Sequence, residues 1–154
     1  MAWSPSAAAF VALVQVGANQ DAYRSVDGRD WTRVGSVPCC GGLAVSDAGL
    51  LVATGSSLTG ACVATSDDDG ASWTPRASGT TFPLRRVAWT GGEFLAVGGT
   101  GRLLRSPDGV AWTTLPTPWT ASPNAFDLND IAALPGAGGR LLLVGSGGLV
   151  ATSP

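Results

Sequence analysis

Histidine and lysine are absent from the 154 residues, and the chain has a single tyrosine, Tyr23, and a single glutamate, Glu93. Without histidine, the commonest general base and the usual Ser-His-Asp triad are both missing. The three cysteines form no Cys-x-x-Cys pair and have no histidine to complete a zinc site. The sequence therefore predicts a protein that is not an enzyme and that uses no cofactor or metal.

Charge and long apolar runs are also scarce. Charged residues make up 13% of the chain and the net charge is −2, so nucleic-acid binding has no electrostatic basis. No stretch reaches the roughly 18 apolar residues of a membrane span. Nothing basic precedes the apolar run 7–16, as it would in a signal peptide. The sequence predicts no membrane insertion and indicates synthesis in the cytoplasm, with incorporation into a particle as one destination.

A short phrase recurs three times, and its copies begin about 40 residues apart, at 25–32, 66–74 and 106–113. That period is typical of a four-stranded propeller blade or a solenoid unit. Each copy contains Ser, Asp, Gly and Trp in that order. These residues are Ser25, Asp27, Gly28, Trp31, Ser66, Asp68, Gly70, Trp73, Ser106, Asp108, Gly109 and Trp112.

The phrase has a mechanical interpretation. Asp bonds nearby backbone N–H groups, and Gly takes a positive φ without steric cost. Trp packs its ring over the turn and directs its indole N–H to a backbone carbonyl. Each phrase is therefore predicted to be a turn that joins two strands and is held by its own side chains.

The pattern Ser-x-Asp-x-Gly-x-x-Trp-Thr resembles the Asp-box, or BNR repeat, of sialidases, sortilin-type receptors and photosystem assembly factors of the Ycf48 type. The copy at 66–74 fits residue for residue, and the other two are one residue shorter. The resemblance implies a β-propeller with the box between the third and fourth strands of each blade, in a structural role. A sialidase would also need a Tyr nucleophile with a Glu and three arginines around the substrate, and no such set is evident here.

The resemblance and the spacing together predict an all-β chain, a β-propeller of about four blades. The blades are expected near 1–36, 37–78, 79–116 and 127–154, with a loop insert at 116–129. Three repeats are complete and the fourth lacks its outer strand, so oligomerisation is one route to completion. Within the first blade, 10–16 is expected to be a strand buried on both faces, and 19–21 a turn.

We predict a non-catalytic module that acts in structure or in protein interaction within a larger assembly, a virion component being one concrete form. The alternatives are a glycan-binding module that stacks sugars on Trp3, Trp89 or Trp119 and, less favoured, a glycoside hydrolase fragment. Core packing is the preferred role for Trp3 and Trp89, because they occupy matching positions on inner strands. The candidate interaction residues are Trp119 and Phe126 of the insert, and Leu149, Val150, Ala151 and Thr152 along the open edge of the last blade.

The cysteines leave two interpretations. Cys39, Cys40 and Cys62 are expected to be buried small hydrophobic residues. In an oxidising compartment, Cys62 could instead form a bridge with one of the adjacent pair.

Overall fold

The structure is a computed structural model that describes residues 1–16, 19–39, 41–57, 60–118, 126–133 and 140–152. These residues contain 15 strands and two short 3-10 turns, Gly99–Gly101 and Ser146–Gly148. No helix in the described part of the chain is long and apolar enough to span a membrane.

The strands form four antiparallel sheets, and within each sheet they follow one another in chain order. Blade 1 consists of β1 (Ala2–Ser4), β2 (Ala9–Val16), β3 (Asn19–Ser25) and β4 (Thr32–Val37). Blade 2 consists of β5 (Leu43–Val45), β6 (Leu51–Ser57), β7 (Gly60–Ser66) and β8 (Thr74–Arg76). Blade 3 consists of β9 (Leu84–Trp89), β10 (Phe94–Gly98), β11 (Leu103–Ser106) and β12 (Thr113–Leu115). Blade 4 consists of β13 (Leu128–Ala133), β14 (Leu141–Gly145) and β15 (Val150–Thr152).

The first strands of successive blades, β1, β5, β9 and β13, pack side by side in that order. Each blade then runs outward through its remaining strands. This arrangement of four-stranded antiparallel meanders is that of a β-propeller. The predicted all-β fold with about four blades, the last of them lacking its outer strand, is confirmed.

Each blade has two faces, because successive side chains on a strand point to opposite sides of the sheet. The upstream face is the one turned toward the preceding blade, and the downstream face is turned toward the following one. In blade 3, Phe94 and Leu104 on the upstream face belong to one core cluster with Val52 of blade 2. On the downstream face of the same strands, Leu95 and Val97 pack with blade 4.

The core therefore consists of three apolar clusters, one at each junction between consecutive blades. The cluster between blades 2 and 3 includes Phe94, which is 1% exposed. Burying a side chain of that size contributes about 1.5–3 kcal/mol. Both faces of blades 2 and 3 are covered in this way, which explains why the first five residues of β6 and all five of β10 are buried without alternation.

The arc of blades is open. Among the described residues, none of the extensive strand-to-strand contacts joins blade 1 to blade 4. The prediction that β2 is buried on both faces is therefore wrong: Ala9 and Val11 are fully buried against blade 2, but Val14 and Val16 on the other face are 43% and 46% exposed. The expected turn at 19–21 is also wrong, because these residues belong to β3 and pair with Val14–Val16.

A disulfide joins Cys39 to Cys62, with Cα atoms 5.4 Å apart. Cys39 follows β4 in the passage from blade 1 to blade 2, and Cys62 lies on β7 in the cluster between these blades. The first interpretation of the cysteines, as buried thiols, is wrong for these two. The bridge ties the connection between two blades to the body of the second blade. Cys40 lies outside the described residues.

Reduction of this bridge should destabilise the first two blades. The bridged residues are 23 positions apart. Closing a loop of that size contributes about 3 kcal/mol through the lost entropy of the unfolded chain. Urea unfolding with and without reductant measures the difference, and the double variant Cys39→Ala/Cys62→Ala should no longer respond to reductant. Peptide mapping that found Cys39 and Cys62 unlinked in the oxidised protein would contradict the assignment.

Candidate interaction surfaces

Three turns between third and fourth strands share one hydrogen-bonded geometry, in the β3–β4, β7–β8 and β11–β12 connections. In each, the serine hydroxyl donates to the carboxylate of the aspartate two residues later, at 3.0 Å from Ser25, 2.8 Å from Ser66 and 3.0 Å from Ser106. The tryptophan Nε1–H donates to the carbonyl of the turn glycine, at 3.2, 3.0 and 3.0 Å in chain order. We call these turns boxes 1, 2 and 3.

The aspartate of each box accepts backbone N–H groups that would otherwise lack a partner. In box 3, the N–H groups of Ala111 and Val110 donate to Asp108 Oδ1, both at 2.9 Å. These two bonds, with a smaller contribution from the Ser106 hydroxyl, hold the pKa of Asp108 below its usual value against partial desolvation. The charged carboxylate of Asp108 therefore accepts hydrogen bonds within its own turn and stabilises it.

The pKa of Asp68 in box 2 is also lowered, but its causes differ from those at Asp108. Desolvation is the largest single influence on its pKa and raises it, yet the hydroxyl and N–H of Ser72 and the hydroxyl of Ser66 together outweigh it and lower the pKa. In box 1, the N–H groups of Arg29 and Asp30 are the main causes of the lowered pKa of Asp27.

The boxes also fill space between blades. Gly109 has a φ of +73°, and a Cβ built on it would lie only 2.9 Å from Val52 Cγ2 in blade 2. Box 3 therefore sits directly against the preceding blade, and glycine is needed both for the turn and for the close approach. Box 2 meets blade 1 in the same way, since the nearest atoms to Gly70 belong to Ala22, Val11 and Val34. No blade of the described residues packs on box 1, and a Cβ built on Gly28 would have only Phe10 of its own sheet within 4 Å.

The extra residue of box 2 makes a further link to blade 1. Asp69 has a φ of +57°. Its Oδ1 accepts the hydroxyl protons of Ser4 at 2.7 Å and Ser6 at 2.8 Å. Because Ser4 is fully buried, this contact satisfies a hydroxyl that would be costly to leave without a partner. The sequence analysis did not find this role, since nothing local connects positions 4 and 69.

The interaction residues proposed from the sequence are only partly brought together. Trp119 lies outside the described residues. Phe126 is 36% exposed, and its ring lies over Gly147 in the turn before β15. Leu149 is half-buried in the cluster between blades 3 and 4 and precedes the strand, which begins at Val150.

The outer edge of β15 carries no strand in the described part of the chain, whereas β3, β7 and β11 each pair with a fourth strand. The Leu149 carbonyl accepts the Gly145 N–H at 2.9 Å. Alternation along the strand then directs the backbone groups of Ala151 toward β14, and those of Val150 and Thr152 outward. β15 contains no charge or proline, the devices that usually protect an edge.

The upstream face of blade 1 forms an exposed aromatic surface. Trp3 and Phe10 make an edge-to-face pair with ring centroids 4.9 Å apart, and Trp31 of box 1 is half-buried beside this sheet. Trp3 is 48% exposed. The expected core packing is wrong for Trp3, because no blade covers this face, whereas Trp89 packs on the cluster between blades 2 and 3. We call Trp3, Phe10 and Trp31 the aromatic face.

A polar cluster lies on the same face of blade 1, where Asp21 pairs with Val14. Arg33 donates to both carboxylate oxygens of Asp21, at 2.7 and 3.0 Å, and Ser36 donates to the same carboxylate at 3.0 Å. The bond from Arg33 is the main cause of the lowered pKa of Asp21. An apolar centre with a hydrogen-bonded polar border is the usual composition of a protein interface.

The other end of the arc carries an aliphatic surface. On the downstream face of blade 4, Leu142 and Val144 are half-buried and Val150, paired with Val144, is 67% exposed. We call these three residues the aliphatic face.

A cleft of about 340 Å³ lies at the inner strands and is lined by Arg85 and Arg86 together with Asn129. Arg85 pairs with Asp127 at 2.6 Å, and Arg86 with Asp130 at 3.6 Å. These ion pairs join β9 to blade 4 and partly neutralise the arginines. In the described residues, no three His, Cys, Asp or Glu side chains converge in a way that could hold a metal ion.

The four antiparallel sheets and the exposed faces at the two ends identify the fold as a β-propeller in the form of an open arc. The sequence matches no protein-family model. It also matches no curated protein. Among solved structures, it is similar to YCF48 bound to a D1 peptide, with a TM-score of 0.61, 19% identity and coverage of 91% of this chain and 48% of that one.

It is likewise similar to TolB from Acinetobacter baumannii, with a TM-score of 0.59, 15% identity and coverage of 98% of this chain and 42% of that one. The chain thus spans about half the length of the propellers it matches. At this identity, the likeness establishes the fold.

The boxes should make stability depend on pH at the acidic end. Their aspartates have folded-state pKa values below the unfolded value of about 3.9. Their contribution is therefore fully present above about pH 4 and is lost as the pH falls through the folded pKa. Melting temperatures measured along an acid series should fall for the wild type. Asp108→Asn should melt lower at neutral pH and depend less on pH in the acidic range.

The matched control is Asp47→Asn, because Asp47 is an exposed acid outside the boxes. An equal loss of acid dependence in this variant would contradict the assignment to the boxes.

Proposed function

We propose that the protein is a non-catalytic propeller module that binds a protein partner by strand addition at the outer edge of β15. The single observation that carries this proposal is that, in the described part of the chain, no strand pairs with the outer edge of the third strand of blade 4, where the other three blades hold a fourth strand. The outward-directed backbone groups of Val150 and Thr152 are then the main recognition elements. Strand addition of this kind gives affinity through main-chain hydrogen bonds.

The surroundings of the edge suit an extended, apolar partner segment. Val150 is exposed beside it, and Ala151 packs inward on the cluster between blades 3 and 4. Phe126 is also exposed at the rim of blade 4 and supplies an aromatic contact. One of the similar propellers is bound to a peptide, which supports a polypeptide as the ligand class.

A role without catalysis is supported by what the acidic side chains do. Asp27, Asp68 and Asp108 accept hydrogen bonds within their turns, while Asp127 and Asp130 pair with arginines. These carboxylates are engaged in structural contacts, and the chain has no histidine to act as a base. The function that fits is association with other molecules, as a building or docking unit of a larger assembly such as a virus particle.

Glycan binding is the second candidate, because the half-exposed ring of Trp3 provides an aromatic surface on which a sugar could stack. A glycan array distinguishes the two candidates. Binding of a defined sugar that is lost in Trp3→Ala would favour the glycan module over the protein module.

Strand addition predicts that Val150→Pro abolishes partner binding and leaves the fold intact. Proline removes the outward N–H of Val150, and an edge position whose N–H faces solvent tolerates this change. To find the partner, a photo-crosslinking amino acid is placed at position 152 in cells that naturally produce the protein, and the adducts are identified by mass spectrometry. We expect a protein adduct that disappears when Val150→Pro is added.

Two controls distinguish specific binding at the edge of β15 from nonspecific binding. The same crosslinker at position 110, an exposed site in box 3, should give no such adduct. Ala151→Pro removes an N–H directed toward β14 and should instead lower thermal stability. An adduct that persists undiminished in Val150→Pro would contradict recognition through the edge.

A further inference from the structure

The two ends of the arc present faces that match the two sides of its internal junctions. The upstream side is clearest in blade 3, where Trp89, Phe94 and Trp112 all pack in the cluster shared with blade 2. Trp89 and Phe94 form a ring pair with centroids 4.6 Å apart. Trp3 and Phe10 form the matching pair in blade 1.

Strand register shows that this match is one of position and not only of residue type. Trp3 pairs with Phe10 across β1 and β2, and Trp89 pairs with Phe94 across β9 and β10. Trp31 and Trp112 both follow the glycine of a box and donate to its carbonyl. The aromatic face is thus the surface that in blade 3 packs against a preceding blade, but in blade 1 it is exposed, with Trp3 48% accessible.

The downstream side matches as well. In blade 3, Leu95, Val97 and Leu103 pack in the cluster shared with blade 4. Val97 pairs with Leu103, as Val144 pairs with Val150 in blade 4. The aliphatic face therefore has the positions of a surface that receives a following blade, and Val150 is 67% exposed on it.

We propose that a second copy of this chain occupies these faces, with the aromatic face of one copy packed on the aliphatic face of the other. The contact repeats the junction between blades 2 and 3, in which an aromatic upstream surface meets Val52 and Val63 on the aliphatic downstream surface of blade 2. Box 1 then enters the new junction as boxes 2 and 3 enter theirs. Within the chain, Gly70 and Gly109 lie against the preceding blade. In the dimer, Gly28 and Trp31 of box 1 lie in the same way against blade 4 of the second copy.

The arrangement closes when both ends of two copies engage. Each copy supplies four blades, and a ring of eight lies at the upper end of the usual range of about four to eight. The chain also spans about half the length of the propellers that it resembles, 48% and 42%. A two-fold ring contains two identical junctions, each made of unlike surfaces. This contact uses side-chain faces, whereas strand addition uses the backbone edge of β15; Val150 contributes its side chain to the first and its N–H to the second.

The test begins with the mass of the chain in solution, measured by analytical ultracentrifugation from micromolar to millimolar concentration. We expect a species of twice the 15.4 kDa chain mass. Trp3→Asp places a charge in the aromatic face, and Val144→Lys places one in the aliphatic face opposite Asp130, its neighbour across the sheet. Each should weaken self-association by about 30-fold or more, as expected when the centre of an interface is disrupted.

Mixing the two variants gives the sharpest result. Either variant alone lacks an intact junction, because every junction would contain the altered face. A mixed pair regains one junction in which both faces are wild type. We therefore expect Trp3→Asp and Val144→Lys to be monomeric separately and to form a heterodimer when combined. Their association also shows that both are folded, with circular dichroism and melting temperature as independent checks.

The matched control is Val110→Asp, which charges an exposed valine on neither face and should leave the dimer unchanged. A wild-type chain that remains monomeric at every concentration would overturn the proposal and assign the faces to a different protein. Dimers that lose association with Trp3→Asp but not with Val144→Lys would overturn it too, since they would pair two aromatic faces. Val150→Pro alters both the edge of β15 and a residue of the aliphatic face, so Trp3→Asp separates the two contacts: it should weaken the dimer and leave the strand-addition adduct unchanged.

Discussion

The structure depends on the need to cover both faces of every sheet. Side chains alternate along each strand, and in β6 and β10 apolar residues occupy both sets of positions. Such a sheet would expose apolar side chains if one face were left in water, so blades 2 and 3 each pack on a neighbour before them and another after them. The three core clusters are the consequence, because each arises where a downstream surface meets the next upstream surface.

The boxes serve the same need at the outer end of each junction. Their serine, aspartate and tryptophan satisfy the polar groups of a tight turn from within, so the turn needs no water or ligand to be stable. Such a turn can be pressed against an apolar neighbour at low cost. Gly109 shows the result, because Val52 of the preceding blade lies so close that a Cβ at this position would come within 2.9 Å of it. The boxes are therefore both turns and spacers between blades.

Much of this organisation could be predicted from the sequence, because the repeat of about 40 residues and the box chemistry are local signals. The strands, their order and the missing outer strand of blade 4 follow from such signals. The exposure of Trp3 and Val14 could not be predicted from the sequence, because their positions in the repeat match those of buried residues elsewhere in the chain. Only the placement of the blades shows that no described blade covers the upstream face of blade 1. The pairing of Ser4 with Asp69 and the choice of Cys39 as the partner of Cys62 also depend on contacts between blades.

The composition of the two end faces bears on what such an arc is built for. Repeat arrays that end in solvent carry terminal units whose outer face is polar, because an apolar face would promote aggregation. Blade 1 and blade 4 lack such polar ends: Trp3 and Phe10 at one end and Leu142, Val144 and Val150 at the other keep the chemistry of internal junctions. The Arg33–Asp21 pair lies on the same face of blade 1, where Trp3 remains 48% exposed. These residues leave apolar surface exposed at both ends of the described arc, with Trp3 48% and Val150 67% accessible.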